Sequence, residues 1–357
     1  MNREDLTNVF KIFLCCVGAI IGAGFATGQE IMSFFVNYEK SGIAGVMLSG
    51  VLFFAFVYVT LKKICVYNIT SLDGYFADIA GRGTALFIQA VSYGFMFASF
   101  AVMVSGSGAV AEQLFGMNTL GIIFMAVLCF VVFLNGVDGM VAVNAIMTPL
   151  ITIGIIIVGI FAIVFESTDV FSAYGILKPI TDNFFVSAVV YVSYNTVTLI
   201  GILLPLKDRI TSGKVVFFSA LLSGGVLALM GLMLWAAMWI FRTELVSIDV
   251  PMLFIAEKAG PVMRYGYAAV LYMAMITTAV SSGFAFLSFL KKHIRISNAV
   301  LSAVMCVVAV PLAYVGFSDL VDKLYRFFGF LGAFVLAVVF LDGIKLKIWK
   351  KYLTNKK

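Results

Sequence analysis

The sequence predicts an all-α integral membrane protein with ten transmembrane helices, arranged as five-plus-five inverted repeats in which helices 1 and 6 are broken. Three observations carry this prediction. Of 357 residues, 62% are hydrophobic and 12% charged, against about 25% charged in an ordinary soluble domain. The apolar residues lie in unbroken runs near the roughly 20 residues that cross a bilayer as helix, not in the short alternating segments of a β-barrel. The runs also recur: an offset of 176 residues carries boundaries at 7, 84, 118, 143 and 165 close to 183, 260, 294, 319 and 341.

Apolar runs bounded by charges place spans at roughly 7–37, 42–66, 84–113, 118–134, 143–165, 183–206, 211–242, 262–290, 297–315 and 319–341. A short extra helix is expected between the seventh and eighth, from Asp249 to Lys258, with Asp249 as N-cap and Pro251 in the first turn. The N-terminus M-N-R-E-D-L-T lacks the basic start and cleavage site of a signal peptide, so the first span is expected to stay in the mature chain. The whole chain, 1–357, reads as one transmembrane domain: repeat one about 7–165, repeat two about 183–341, and a basic tail at 342–357. Little is left for a soluble catalytic domain, and no nucleophile, base and orienting acid share one depth, so no enzyme is expected.

With ten spans, seventeen of the 24 lysines and arginines fall on the side of the termini. That excess predicts cytoplasmic termini in a multi-pass cell-membrane protein. It also accounts for the net charge of +6 by contact with anionic lipid, without a nucleic-acid partner. No obligate protein partner is evident. Cys15, Cys16, Cys65, Cys129 and Cys306 lie in apolar runs without metal-like spacing, and the single histidine, His293, sits in a basic run at a span end. No cofactor and no histidine metal centre are therefore expected.

Five crossings reverse the entry side, so the second repeat must be inverted, an architecture recurrent in secondary transporters whose first repeat helices are broken near mid-membrane. The first span carries such a signal, Gly18-Ala19-Ile20-Ile21-Gly22-Ala23-Gly24-Phe25-Ala26-Thr27-Gly28, with four glycines in eleven residues. Each glycine weakens a helix by about 1 kcal/mol relative to alanine. Small residues at this spacing also suit close helix crossings. At the matching place in the sixth span, Tyr191-Val192-Ser193-Tyr194-Asn195-Thr196-Val197-Thr198 interrupts the apolar run with hydroxyls and an amide, and a second, smaller break is expected there.

The segments G-A-I-I-G-A-G-F-A-T-G-Q-E, Y-V-S-Y-N-T and A-V-S-S-G-F resemble those of the bacterial YkvI-type membrane proteins, a branch of the amino acid–polyamine–organocation superfamily. The likeness spans nearly the whole chain. It implies the leucine-transporter fold and the transport of amino acids, amines or related solutes driven by sodium or protons. It further implies a sodium site between the carbonyls of Gly18 and Ile21 and the hydroxyls of Ser281 and Ser282. Depth agrees: Ile21 lies roughly 6 Å, and the serines about 5 to 7 Å, to the same side of their span midpoints. Serines in this position also bond back to their own helix. A lysine that replaces the cation in some proton-driven relatives has no counterpart in the uncharged fifth span, Val143 to Phe165.

Glu30 is the most informative acid, since ionised carboxylates within a membrane are costly and mark function. It would bind a substrate ammonium, carry a coupled proton or close a gate, or else serve as a first-turn acid favoured by its half-helix dipole. The expected substrate site comprises Gly22, Ala23, Gly24 and Phe25, where amides would take a carboxylate, Ser193, Tyr194 and Asn195, and an apolar wall from Tyr93 and Phe97. The function expected is a secondary active transporter, a sodium-coupled symporter with the sodium ion as coupling ion. A ligand-sensing receptor of the spore-germinant type and a proton-coupled transporter using Glu30 are the alternatives.

Overall fold

Helix ends follow local chemistry. Asn183 accepts from the Phe185 N–H at 2.8 Å, Ser212 from Val215 at 3.3 Å and Ser297 from Val300 at 3.4 Å, so each caps a helix start. Asn68, in the left-handed region at φ 57°, ends one helix, and Pro261 opens another directly after Gly260 at φ 107°. The computed structural model describes residues 1–354 apart from 2, 70, 71, 135, 166–182, 246 and 247. In chain order the helices are α1 (Arg3–Ile20), α2 (Ala23–Thr27), α3 (Gln29–Phe34), α4 (Ser41–Tyr67), α5 (Leu72–Phe115), α6 (Asn118–Leu134) and α7 (Gly136–Phe165). They continue as α8 (Phe184–Leu203), α9 (Gly213–Ile240), α10 (Pro251–Lys258), α11 (Pro261–His293), α12 (Asn298–Ala313), α13 (Phe317–Leu320) and α14 (Arg326–Thr354).

Among the described residues seven helical stretches are long and apolar enough to cross a membrane, and two shorter apolar helices, α6 and α12, pack beside them. Large apolar side chains stand exposed along these helices, among them Val51, Val131, Ile153, Ile160, Leu229 and Val307. Soluble monomers rarely leave so much apolar surface open, and with seven helices able to cross a membrane among the described residues the chain is a multi-pass membrane protein.

Small residues set the closest crossings. Gly50 of α4 and Gly224 of α9 meet so tightly that a Cβ on Gly224 would stand 2.5 Å from the Gly50 carbonyl oxygen. On α14, a Cβ on Gly332 would stand 2.6 Å from the Ser193 carbonyl oxygen of α8. The first contact locks α4 to α9 and the second α14 to α8; α8 packs between α4 and α14, beside α1 and α3.

Several expectations are corrected. The sixth span is not broken at its polar segment: α8 is continuous from Phe184 to Leu203, and only at Leu204–Arg209 does it tighten to 3₁₀ around Pro205. Two of its hydroxyls bond back within the helix, Ser193 donating to Val189 O at 2.5 Å and Thr196 to Ser193 O at 2.7 Å, so neither pulls the backbone open. Asp249 does not cap α10; Val250 holds that position, and the Asp249 carboxylate accepts from Ser318 Oγ at 2.5 Å. The last span is interrupted by a π-helical turn, Val321–Tyr325, that no residue type announced. α7 begins at Gly136, and the side chains of residues 136–146 lie outside the described residues, as does that of His293.

Candidate functional site

The glycine-rich segment breaks the first span twice. After Ile20 the Gly22 N–H donates to Ile20 O at 2.8 Å, which takes it away from the Gly18 carbonyl, its α-helical partner. α2 then starts with Ala26 N–H to Gly22 O at 2.9 Å, so the amides of Ala23, Gly24 and Phe25 precede the first helical bond. Four residues on, Gly28 adopts φ 84° and turns the chain into α3. A side chain there would be strained, and its Cβ would come within 2.7 Å of Met238 Sδ. Tyr267 of α11 clamps the short α2 by donating to Ala26 O at 2.5 Å.

The turn at Gly28 folds Glu30 back over the start of α2. A Cβ on Gly24 would overlap Glu30 Oε1 and stand 2.7 Å from its Cδ. Only a residue without a side chain lets the carboxyl lie there. Glu30 is 4% exposed, its Oε2 has no hydrogen-bond partner, and none of the ion pairs among the described residues includes it. The Tyr194 hydroxyl lies beside the carboxyl, and the Tyr191 and Tyr325 hydroxyls lie within electrostatic range of it. Both Tyr191 and Tyr194 keep buried hydroxyls without partners, a costly arrangement in a low-dielectric interior.

Aromatic rings close around Tyr194: Tyr325 at 4.8 Å, Phe95 at 5.6 Å, Tyr191 at 5.7 Å and Phe34 at 5.8 Å between centroids. Ser187 of α8 donates to Phe34 O at 2.7 Å and Ser33 to Asp322 Oδ1 at 2.7 Å. These two bonds hold α3 against α8 and against the π-turn.

Of the expected substrate residues, the structure brings Gly24 and Tyr194 together around Glu30, the expected coupling or gating acid, with Gly22, Ala23 and Phe25 buried at the break. Ser193 turns onto its own helix, and Asn195 donates to Tyr191 O at 3.0 Å. Tyr93 and Phe97 do not wall this place. They stack on α11, Tyr93 with Phe289 at 3.9 Å and Phe97 with Phe286 at 5.2 Å, and Phe95 meets Tyr194 in their stead. Phe95 and Tyr325 were missed; the one available hint for Tyr325 was the acid–base pair Asp322 and Arg326 beside it.

For the cation, the break faces α11: a Cβ on Gly22 would meet Thr278 Oγ1 at 2.7 Å, one turn before Ser281 and Ser282. Ser282 donates to Thr278 O at 2.6 Å and keeps its lone pairs as acceptors. The Gly18 carbonyl has lost its helical donor, and Ile21 O stands ahead of the first bond of α2. Carbonyl and hydroxyl oxygens of this kind fit a hard monovalent cation.

No family model matches the chain. It is 26% identical over 332 residues to the uncharacterized membrane protein YkvI of Bacillus subtilis, covering 90% of this chain and 93% of that one. It is 24% identical to YyaD of the same organism, over 95% and 98% of the two chains. Among solved structures it resembles a Na⁺-coupled sialic acid symporter in a substrate-bound outward-open state, TM-score 0.56 at 14% identity, over 96% of this chain and 87% of that one. It also resembles inward-facing Mhp1, TM-score 0.59 at 14% identity over 92% and 73%, and a manganese transporter of Eremococcus coleocola, TM-score 0.62 at 14% identity over 95% and 78%. The chain has the leucine-transporter fold that these transporters share.

Proposed function

We propose that this protein is a secondary active transporter of a small amino acid, amine or related solute, working by alternating access. The observation that carries the reading is the doubly broken first span, with released backbone groups and an unpaired buried carboxyl at one place in the membrane. Irregular backbone at such depth is tolerated where it lines a site, and transporters use it to hold solute and ion. The shared fold of the sialic acid symporter, Mhp1 and the manganese transporter supports the same class. In this reading ten spans form five-plus-five inverted repeats within a single domain, in the cell membrane, with both termini cytoplasmic. Sodium sits between Gly18, Ile21, Ser281 and Ser282, and the solute between Gly22–Phe25, Glu30 and Tyr194.

The experiment is side-specific labelling of a cysteine placed at Ala23 in a cysteine-free background. Alternating access predicts that solute with sodium shifts its reactivity from one face of the membrane to the other. A cysteine reachable from one face under every condition would favour the receptor reading, and simultaneous access from both faces a channel.

A further inference from the structure

Three charged side chains are more than nine-tenths buried among the described residues. Lys63 has Asp342 at 2.9 Å, and Arg242 has the Trp239 carbonyl at 2.7 Å and the Trp239 ring at 4.3 Å. Glu30 has neither an ion pair nor a bond to Oε2. Its surroundings are acceptor-rich and aromatic: the carboxyl, the unpartnered Tyr191 and Tyr194 hydroxyls, and the rings of Phe34, Phe95 and Tyr325 around Tyr194.

The amides at the start of α2 are where a solute carboxylate would be expected to bind. Glu30 already lies there, its carboxyl against the backbone of Gly24. A second carboxylate would find this place already taken by the Glu30 carboxyl, and none of the ion pairs among the described residues brings a base to it. A cation meets the opposite: a fixed acid, hydroxyl oxygens and aromatic faces, a combination suited to a weakly hydrated organic ammonium. A bare sodium ion, strongly hydrated, is better served by the carbonyls and serines at Gly18, Ile21, Ser281 and Ser282.

We propose that Gly24, Glu30, Tyr191 and Tyr194 form a site for the cationic head of an organic amine, and that a carboxylate on the amine-bearing carbon is refused there. The inference deepens the transport reading and rests on it only for the solute being carried across.

The test is thermal unfolding of the purified full-length protein with four probes: butylamine, tetramethylammonium, norvaline (butylamine with a carboxylate on the amine carbon) and pentanoate. Sodium chloride and potassium chloride alone serve as ion controls. The expected result is a rise of several degrees with butylamine or tetramethylammonium near saturation, lost in Glu30→Gln, with no rise from norvaline or pentanoate. Norvaline stabilising as well as butylamine, an amine shift unchanged in Glu30→Gln, or no shift from either amine would overturn the proposal. So would stabilisation by sodium alone that Glu30→Gln abolishes, because it assigns the place to an inorganic ion. Should Glu30→Gln fail to fold, Tyr194→Phe decides: a weakened amine shift supports the site and an unchanged one overturns it. The readout is binding, so a protein that binds amines without accumulating them would sink the transport reading and leave this one standing.

Discussion

Ser33 and Asp322, 289 residues apart, are joined by a 2.7 Å hydrogen bond from hydroxyl to carboxylate. It ties α3, the end of the broken first span, to the π-turn that also sets Tyr325 against Tyr194. π-turns of this kind recur at functional sites. Hydrogen bonds to charged groups contribute about 1.5–3 kcal/mol, and Asp322 retains Arg326 at 3.3 Å. Ser33→Ala is therefore expected to cost about 1.5 kcal/mol, read as a lowered unfolding midpoint, and to loosen α3 without unfolding the bundle.

Gly24→Ala tests the contact on which the site is built. Its Cβ would displace the Glu30 carboxyl, and overpacking of this kind costs about 1–3 kcal/mol. The variant should melt lower and lose the stabilisation by amines together with it. A variant that melts lower but binds amines as before would separate the two and show Glu30 to be an element of packing alone.

Gly28 and Gly225 make a matched pair. Gly28 combines φ 84° with a Cβ position 2.7 Å from Met238 Sδ, so Gly28→Ala should destabilise by about 2 kcal/mol or more. Gly225 lies inside α9 with open space where its Cβ would be, and Gly225→Ala should leave the midpoint unchanged or raise it by up to about 1 kcal/mol. Equal effects at the two positions would contradict the backbone geometry of the break.

Much of this arrangement was legible in the sequence. The first break was, because four glycines in eleven residues leave an apolar helix little reason to continue. The sixth-span break was misread, since the same hydroxyls that loosen a helix by binding a ligand also bond the carbonyl three or four residues back, as Ser193 and Thr196 do. Tyr93 and Phe97 share one face of α5 and Phe95 lies on the other. Which face meets α8 depends on how the helix is rotated, a property of the packed bundle. The lodging of Glu30 on Gly24 needed the left-handed turn at Gly28, and glycine permits that conformation without requiring it.

Lys63, on α4, and Asp342, on α14, are joined at 2.9 Å with 1% and 17% of their side chains exposed. Lys63 also donates to Tyr75 O at 3.3 Å and lies 4.7 Å from the Tyr75 ring. Removing one partner of a buried pair costs about 3–5 kcal/mol because the other charge is left uncompensated, with the lower end expected for Lys63→Met, which leaves the partly exposed Asp342. Lys63→Met and Asp342→Leu should each lower the midpoint strongly, and the double variant should lose less than the sum. Additive losses would show that the pair is not coupled.

On the transport reading the broken first span serves concentrative uptake. The most direct measurement is solute accumulation in proteoliposomes under an inward sodium gradient, followed by dissipation of that gradient with an ionophore. The expected result is accumulation above equilibrium that collapses with the gradient and is absent in Glu30→Gln. Saturable binding without accumulation under sodium or proton gradients would contradict it and identify the protein as a receptor built on a transporter fold.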